Sequence, residues 1–301
     1  MAQRYKPGLP PDDVLALDRA LLTDPALDVS GVHCHVARHS RRPELFESMV
    51  ASLIELLAEV RDAWGGWQPR ELDLGGGFSY PGDPMGLSGL TDEELGDLPV
   101  APTPAEYAEV LTSTVRRELT RHRFATDGLC LEIEPGRAVY ATAGLHLTRV
   151  VNVKEQRDPA PRRWVETDTS EAFLPDVNLE HVRWPTILPE KAAAPLTQTA
   201  DLVGRSCGFD LLVPDARLPV VTAGDLLALL VTGAYQDAGA NNFNALPRPA
   251  TVLVSDSQAE VIKRRETVAE VFARDVVPER LGGAPHWQSN DTAMPSAKVQ
   301  P

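Results

Sequence analysis

Residues 72–80 read LDLGGGFSY, a short apolar run followed directly by three glycines, Gly75, Gly76 and Gly77. Consecutive glycines lose much chain entropy on folding and have no side chain to pack, so they are tolerated where another group must approach the backbone closely. A phosphate bound by backbone amides is one such group. A strand-to-loop turn without a ligand explains the same residues. Other parts of the chain are needed to choose between these two interpretations.

The segments on either side of this loop alternate between strand and helix patterns. Strands are predicted at 29–36, 71–74 and 128–133, and helices are predicted between them at 43–61 and 104–121. A further helix is expected to begin at Pro10 and to carry one apolar face made of Val14, Leu15, Leu17, Leu21 and Leu22. Repeats of this kind indicate parallel βα units.

About three βα units fit before residue 144, whereas a closed eightfold barrel needs roughly 250 residues. No strand pattern precedes the first helix. We therefore predict that residues 1–144 form the C-terminal part of a (β/α) barrel whose first half is missing from this sequence.

The pattern changes after Gly144 to strand-like runs without regular helices. These runs lie at 145–153, 200–203, 225–231 and 251–254. They predict a mainly antiparallel β domain over residues 145–285, so the fold class is α/β followed by β. Residues 286–301 are polar without periodicity, and we expect a disordered tail there.

Composition restricts the function classes. The chain has 301 residues and a formal net charge of −14, which argues against nucleic acid or an anionic membrane as a partner. No apolar run is long enough to span a bilayer, and no secretory signal is evident, so a cytoplasmic location is expected. The cysteines Cys34, Cys130 and Cys207 lie in different segments and do not suggest a disulfide framework.

The run GVHCHVARHS begins at Gly31 and places His33 and His35 on one face of a strand. Three interpretations are open: a metal site, a buried and hydrogen-bonded histidine, or an imidazole facing an aromatic cofactor. Because no third and fourth ligand are evident in the sequence, we predict no metal.

A second informative run is LEIEPGRAVYATAG, residues 131–144. It places carboxylates and Arg137 at a strand end, where the active-site residues of βα folds gather. A structural ion pair is one explanation for Arg137, but an arginine just after a barrel strand suits a phosphate well.

Six motifs together resemble one family. GVHCHV, LDLGGGF, EPGR, GRSC, GDLLALLVTGAY and NNFNALPRPATVLV occur in the order and approximate spacing of the fold-type III pyridoxal-phosphate decarboxylases, which include the diaminopimelate, ornithine and arginine decarboxylases. The resemblance extends from about residue 4 to residue 273. It implies a barrel of the alanine-racemase type and an amino-acid decarboxylase that uses pyridoxal 5'-phosphate.

The resemblance implies roles for individual residues. Gly75, Gly76 and Gly77 would present amides to the cofactor phosphate with Arg137 nearby. His35 matches the histidine that stacks on the pyridine ring, and Glu134 matches the carboxylate that keeps the ring nitrogen protonated, so that the ring accepts electrons.

Two further residues match motifs of the β domain. Cys207 matches the cysteine that is delivered across a dimer interface to protonate the carbanion, and Tyr235 matches a phosphate or substrate contact. Taken alone, a cysteine or a tyrosine in a β domain usually only packs. Their place in the motif series supports the functional interpretation.

The chain also departs from the family. The family's Schiff-base lysine lies near its N-terminus, and none of the five lysines here (Lys6, Lys154, Lys191, Lys263 and Lys298) replaces it convincingly. The phosphate-binding glycine and serine that usually follow the HCH strand are replaced by Ala37 and Arg38, and the acidic residue that normally follows the cysteine is absent. The segment SEAFLPDVNLEH lacks the arginine and tyrosine of the diaminopimelate enzymes, which disfavours meso-diaminopimelate as substrate.

The substrate hypothesis depends on two carboxylates. Glu180 precedes His181 where ornithine-type enzymes have an aspartate that receives the distal amine, and Asp210 follows Cys207 by three positions. One carboxylate from each subunit would bracket a cationic side chain, which indicates a basic amino acid in a biosynthetic pathway. Glu180 as a surface cap or ion-pair partner is the alternative.

The expected assembly is a homodimer or a complex with a complementary N-terminal chain. Three explanations are open for the expected missing half: a truncated sequence, which is favoured, a separate polypeptide that completes a split enzyme, or a non-catalytic relative.

Overall fold

The computed structural model describes residues 8–88 and 90–281. Residues up to Leu147, with Glu180–Ile187 and Ala228–Ala234, form a first compact unit; Thr148–Leu179, Leu188–Leu227 and the residues from Tyr235 onward form a second. The domain limits expected from the sequence, 1–144 and 145–285, stay a prediction. The expected tail at 286–301 lies outside the described residues.

The first unit contains a parallel sheet with helices between its strands. In chain order the elements are α1 (Pro11–Leu15), β1 (Gly31–His33), α2 (Pro43–Ala63), β2 (Glu71–Asp73), α3 (Asp92–Gly96), α4 (Pro104–Arg121), β3 (Cys130–Glu132), α5 (Arg137–Tyr140) and β6 (Thr186–Ile187). Strands β1, β2 and β3 are neighbours in that order and pair in parallel. This is the βα arrangement that the sequence predicts.

The two long helices form where local signals are strong. Thr103 caps α4 and exchanges hydrogen bonds with Glu106 in a capping box, and proline occupies the first turn of both α2 and α4. Their buried side chains recur every three or four residues, which is one helical face. These faces consist of Phe46, Met49, Val50, Leu53, Ile54 and Leu57 on α2 and Tyr107, Leu111, Val115 and Leu119 on α4.

Aromatic contacts connect this core to the loops after β1 and β2. Phe78, which follows the glycines, stacks on Phe46 with ring centroids 4.9 Å apart and meets the edge of Tyr107. The Tyr107 hydroxyl donates to the carbonyl of Ser40. The helices therefore hold both loops where the parallel strands end.

The second unit is mainly antiparallel. Its elements are β5 (Arg162–Thr167), α6 (Asp176–Leu179), β7 (Gln198–Val203), β8 (Leu211–Leu218), α7 (Gln236–Gly239), β10 (Thr251–Ser255), β11 (Gln258–Lys263) and α8 (Val268–Val271). Strands β4 (Leu145–Gln156) and β9 (Leu226–Leu230) contribute residues to both units. β4 pairs with β5 and β7 with β8 in antiparallel register, whereas β5 and β7 run parallel.

Some sequence expectations differ from the structure in detail. The strand expected at 29–36 is only β1, three residues long. The first expected helix is instead the single turn α1 followed by a 3₁₀ turn at Arg19–Leu22, both without buried residues. The one-turn helices α6, α7 and α8 interrupt a unit expected to lack regular helices. Among the described residues, no helix is both long and apolar enough to cross a bilayer.

Candidate active site

The His35 ring is held by two hydrogen bonds just after β1. Its Nδ1 accepts from the backbone N–H of Gly76 at 3.2 Å, and its Nε2 lies 3.0 Å from the carbonyl oxygen of Ala37. A nitrogen that accepts an N–H carries no proton, so the proton belongs on Nε2, which donates to Ala37. The loops after β1 and β2 thus determine both the orientation and the tautomer of the ring.

Glu134 follows β3 and faces both histidines. Its Oε2 lies 3.3 Å from Nε2 of His33 and 3.6 Å from Nδ1 of His35. The side chain is 52% exposed, and its backbone N–H donates to the carbonyl of Gly75 at 2.8 Å. The residues predicted from the HCH and EPGR runs therefore meet at the carboxyl ends of neighbouring parallel strands, as expected for an active site of a βα fold.

The glycines are required by close packing between these strand ends. A Cβ at Gly76 would overlap the carbonyl oxygen of Glu134, and a Cβ at Gly77, whose φ is +81°, would overlap the carbonyl oxygen of Ala37. The amide of Gly75 donates to Oδ1 of Asp73 at 2.9 Å, in addition to the bond from Gly76 to His35. Close approach of the backbone thus accounts for the glycines here, and their contact with a phosphate stays a prediction.

Arg137 is the first residue of α5 and is only 6% exposed. Its guanidinium is one of three, with those of Arg38 and Arg41, whose positive charge lowers the pKa of His39. Burial of the imidazole is the larger cause, and together these effects bring that pKa to about 4. A neutral histidine thus lies within a cluster of arginines next to the site.

His39 belongs to a partly buried polar cluster that the sequence analysis missed. Its Nε2 lies 3.2 Å from Oε2 of Glu180, and its Nδ1 lies 3.8 Å from Oδ2 of Asp83. Burial raises the pKa of the Asp83 carboxyl, against hydrogen bonds from the Met85 amide and the Ser79 hydroxyl that lower it. The sequence signal that could have indicated this cluster is the polar run that follows the HCH strand.

Glu180, the predicted amine ligand, already has partners. Its carboxylate forms an ion pair with Arg38 and is only 12% exposed. A cationic substrate would therefore have to compete with Arg38 for this carboxylate. The amine-binding role of Glu180 stays a prediction.

The other predicted residues belong to the second unit. Cys207 is exposed, and its Sγ accepts a hydrogen bond of 3.1 Å from Nδ2 of Asn244. Tyr235 is 51% exposed and has φ of +67°, a conformation uncommon for residues other than glycine. The roles of Cys207 and Tyr235 stay predictions.

Asp210 is 2% exposed and has a structural role in its loop. Its two carboxylate oxygens accept backbone N–H groups of Glu171 and Ser206, each at 2.6 Å. The predicted contact with substrate would compete with these bonds. It also stays a prediction.

The described lysines all form ion pairs in the second unit. Lys154 pairs with Glu166, Lys191 with Asp225 and Lys263 with Asp237. Lys6 and Lys298 lie outside the described residues.

The fold and the site together define a class of protein. Parallel βα units place a histidine, a glutamate and an arginine at their strand ends, and a mainly antiparallel β unit follows. This is the arrangement of a partial β/α barrel that carries a polar site at its strand ends and is followed by a β domain.

Comparison with known proteins identifies the family. Residues 3–141 match the model described as "Pyridoxal-dependent decarboxylase, pyridoxal binding domain". The chain belongs to the fold-type III pyridoxal-phosphate-dependent decarboxylases, as the six motifs predict. The cofactor of this family is pyridoxal 5'-phosphate.

Curated relatives and solved structures agree with this assignment. The chain is 34% identical over 278 residues to diaminopimelate decarboxylase of Actinosynnema pretiosum subsp. auranticum, covering 91% of this chain and 57% of that protein. It is 30% identical over 251 residues to the enzyme of Bacillus subtilis (strain 168), covering 83% and 53% respectively. A structure of diaminopimelate decarboxylase from M. jannaschii in complex with L-lysine shares 27% identity with a TM-score of 0.65, covering 84% and 53%.

The chain spans about half the length of the curated relatives it matches. These relatives carry the name diaminopimelate decarboxylase.

Proposed function

We propose that the protein is a pyridoxal-phosphate-dependent carboxy-lyase that releases carbon dioxide from a basic amino acid in a biosynthetic pathway. The observation that carries the proposal is the Glu134 carboxylate, held 3.6 Å from the His35 ring at the ends of two parallel strands. Both residues lie in the region that matches the pyridoxal-binding domain.

The residues present fit the cofactor. His35 offers a flat ring of defined orientation, and the half-exposed Glu134 offers a carboxylate for a protonated ring nitrogen. The guanidinium groups of Arg38, Arg41 and Arg137 supply the positive charge that a phosphate needs. When bound, the protonated pyridine ring would accept the electron pair left by departing carbon dioxide.

Each of the proposed site residues of this chain would have a separate role. Glu134 would keep the proton on the ring nitrogen, His35 would cover one face of the ring, and Arg137 would neutralise phosphate charge from its buried position. Cys207 would deliver a proton to the carbon that lost its carboxylate. The hydrogen bond from Asn244 would orient that thiol.

The substrate class rests on two arguments. The relatives are named for diaminopimelate, and one of the matched structures is a complex with L-lysine. Both of these molecules are diamino acids. Glu180 is the candidate for the distal amine, since a carboxylate can offset the desolvation of an ammonium group. We therefore propose a diamino acid as substrate, with meso-diaminopimelate to be compared directly with lysine, ornithine and arginine.

We also propose that activity needs a second chain and that the protein is cytoplasmic. The second chain is a second copy or a complementary chain, because Cys207 is predicted to act across a dimer interface and is exposed. Light scattering of the purified protein tests the assembly, and cell fractionation tests the location. A monomer with full activity would contradict the first, and recovery outside the cytoplasmic fraction would contradict the second.

The central experiment measures cofactor binding and carbon dioxide release together. Equilibrium dialysis with pyridoxal phosphate should show weaker binding by Glu134→Gln than by the matched control Glu132→Gln, which alters an exposed carboxylate two residues earlier on β3. Carbon dioxide release is then compared for the basic and neutral amino acids, using this chain and the longest in-frame product of its gene. Equal binding by both variants, or turnover only of amino acids whose side chain carries no cationic group, would overturn the proposal.

A further inference from the structure

Three potential metal-binding atoms converge at the ends of β1 and β3. Nε2 of His33, Nδ1 of His35 and a carboxylate oxygen of Glu134 all lie within 4.8 Å of one another. The sequence predicts no metal because only the two histidines are visible as a pair. Glu134 is a hundred residues further along the chain and reaches them only through strand pairing.

The spacing of these atoms suits a small divalent ion. A zinc ion binds histidine nitrogen and carboxylate oxygen at about 2.0–2.2 Å, which places adjacent tetrahedral ligands about 3.3–3.6 Å apart. The carboxylate oxygen of Glu134 lies 3.3 Å from His33 and 3.6 Å from His35. These two distances match the spacing of adjacent ligands, and the two ring nitrogens lie within 4.8 Å of each other.

The hydrogen bond between His35 and Ala37 supports coordination. A metal-binding histidine usually donates its other ring N–H to a carbonyl or carboxylate, which fixes the tautomer. Nε2 of His35 lies 3.0 Å from the carbonyl oxygen of Ala37, so the proton belongs on Nε2 and Nδ1 is the nitrogen that keeps a lone pair. At Nδ1 a metal would replace only the 3.2 Å bond from the Gly76 amide.

We infer that His33, His35 and Glu134 form a binding site for a late first-row divalent metal ion, with zinc as the representative ion. Two imidazoles and one carboxylate favour such ions over magnesium or calcium, which prefer oxygen ligands. The three side chains are about half exposed, which leaves room for water in the remaining coordination positions. The metal site does not require the proposed enzyme activity.

The site has one consequence that does depend on the proposed function. His35 and Glu134 are also the residues proposed to hold the pyridine ring. A metal ion and the cofactor would therefore exclude each other. His33, in contrast, would contribute to metal binding but not to cofactor binding.

The test is calorimetric titration of the 301-residue chain with zinc chloride and, separately, magnesium chloride. Because the exposed thiols of Cys130 and Cys207 also bind zinc, all proteins carry Cys130→Ser and Cys207→Ser. We expect zinc to bind one site and magnesium not to bind. His33→Ala and Glu134→Gln should each weaken zinc binding at least about tenfold, the lower end of the effect of removing even an outer partner. The matched control His122→Ala should match the parent.

Thermal unfolding gives a second readout. A ligand that binds only the folded state raises the midpoint of unfolding, so zinc should stabilise the parent and the His122→Ala control but not His33→Ala. Zinc affinity unchanged in His33→Ala, or no zinc binding by the parent that lacks both thiols, would overturn the inference. Zinc binding without any cofactor binding would contradict the proposed function and leave the metal site standing.

Discussion

His39 and Glu180 are 141 residues apart in the sequence, yet Nε2 of the imidazole lies 3.2 Å from Oε2 of the carboxylate. The same carboxylate forms an ion pair with Arg38, the residue next to His39. A returning segment of the chain is thus attached to the loop after β1 by two side-chain contacts. The stability of this attachment should depend on the charge of His39.

The first prediction concerns acid stability. The pKa of His39 is lowered by burial and then by Arg137, Arg38 and Arg41, from an ordinary value of 6.5 to about 4 in the folded protein. Between these values the unfolded chain binds the proton more readily, so the free energy of unfolding should fall as the pH drops from about 6.5 to about 4. His39→Asn, which tolerates the residue's φ of +49°, should reduce this slope.

The measurement is denaturant unfolding at several pH values for the parent and for His39→Asn, with His122→Asn as the control. The comparison between variants isolates His39 from Asp83, whose raised pKa acts in the opposite sense. Parallel pH profiles for the parent and His39→Asn would show that His39 does not carry the effect.

The second prediction concerns the loop that carries Cys207. Asp210→Ala removes acceptors from the buried N–H groups of Glu171 and Ser206, which should lower the free energy of unfolding by about 2–4 kcal/mol. Asp256→Ala is the matched control, because Asp256 is exposed and has a similar φ, +53° against +45°. Urea unfolding checks both. Similar losses in the two variants would assign the effect to backbone conformation instead.

The third prediction concerns covalent attachment of the cofactor. Lys154, Lys191 and Lys263 are engaged in ion pairs in the second unit. When the 301-residue chain is incubated with pyridoxal phosphate and borohydride, mass spectrometry should therefore show no stoichiometric reduced adduct on these three described lysines. Capture of one cofactor on a single lysine, mapped by peptide analysis, would disprove this expectation.

The fourth prediction separates Arg137 from Cys207. Arg137→Ala removes a buried positive charge and should weaken binding of pyridoxal phosphate about 10- to 150-fold, equivalent to about 1.5–3 kcal/mol for a charged hydrogen bond. Cys207→Ala should leave cofactor affinity unchanged. In a preparation that turns over substrate, it should instead yield aldehyde through misplaced protonation. Dialysis and product analysis check the two effects, and equal losses of cofactor affinity would contradict the assigned roles.

The long elements could be predicted because their signals are local. Helix α4 has the predicted limits, since Pro104 and the Thr103 cap mark its start and its apolar residues follow one helical face. Strand β5 was missed because its sequence, RRWVET, contains three charged residues in six and resembles an exposed loop. Its pairing with β4 and β7 supplies the stability that the sequence pattern does not reveal.

The site, like the fold, could be predicted only where the signal is local in the sequence. His35, Glu134 and Arg137 stand in short motifs, so the sequence singles them out as candidates, and their roles stay predictions. The contact of His39 with Glu180 and that of Glu134 with His33 were missed because each needs a residue far away in the chain. Only strand pairing or a returning segment brings Glu134 to His33, and Glu180 to His39.

The packing of Gly76 and Gly77 affects how this region can change under selection. A side chain at Gly76 would meet the segment after β3, and one at Gly77 would meet the segment after β1. Each substitution would therefore need its own compensating change in a different strand end. In a library of random variants selected for folding, single replacements at these two positions should be rare, and survivors should carry second changes near Glu134 or Ala37.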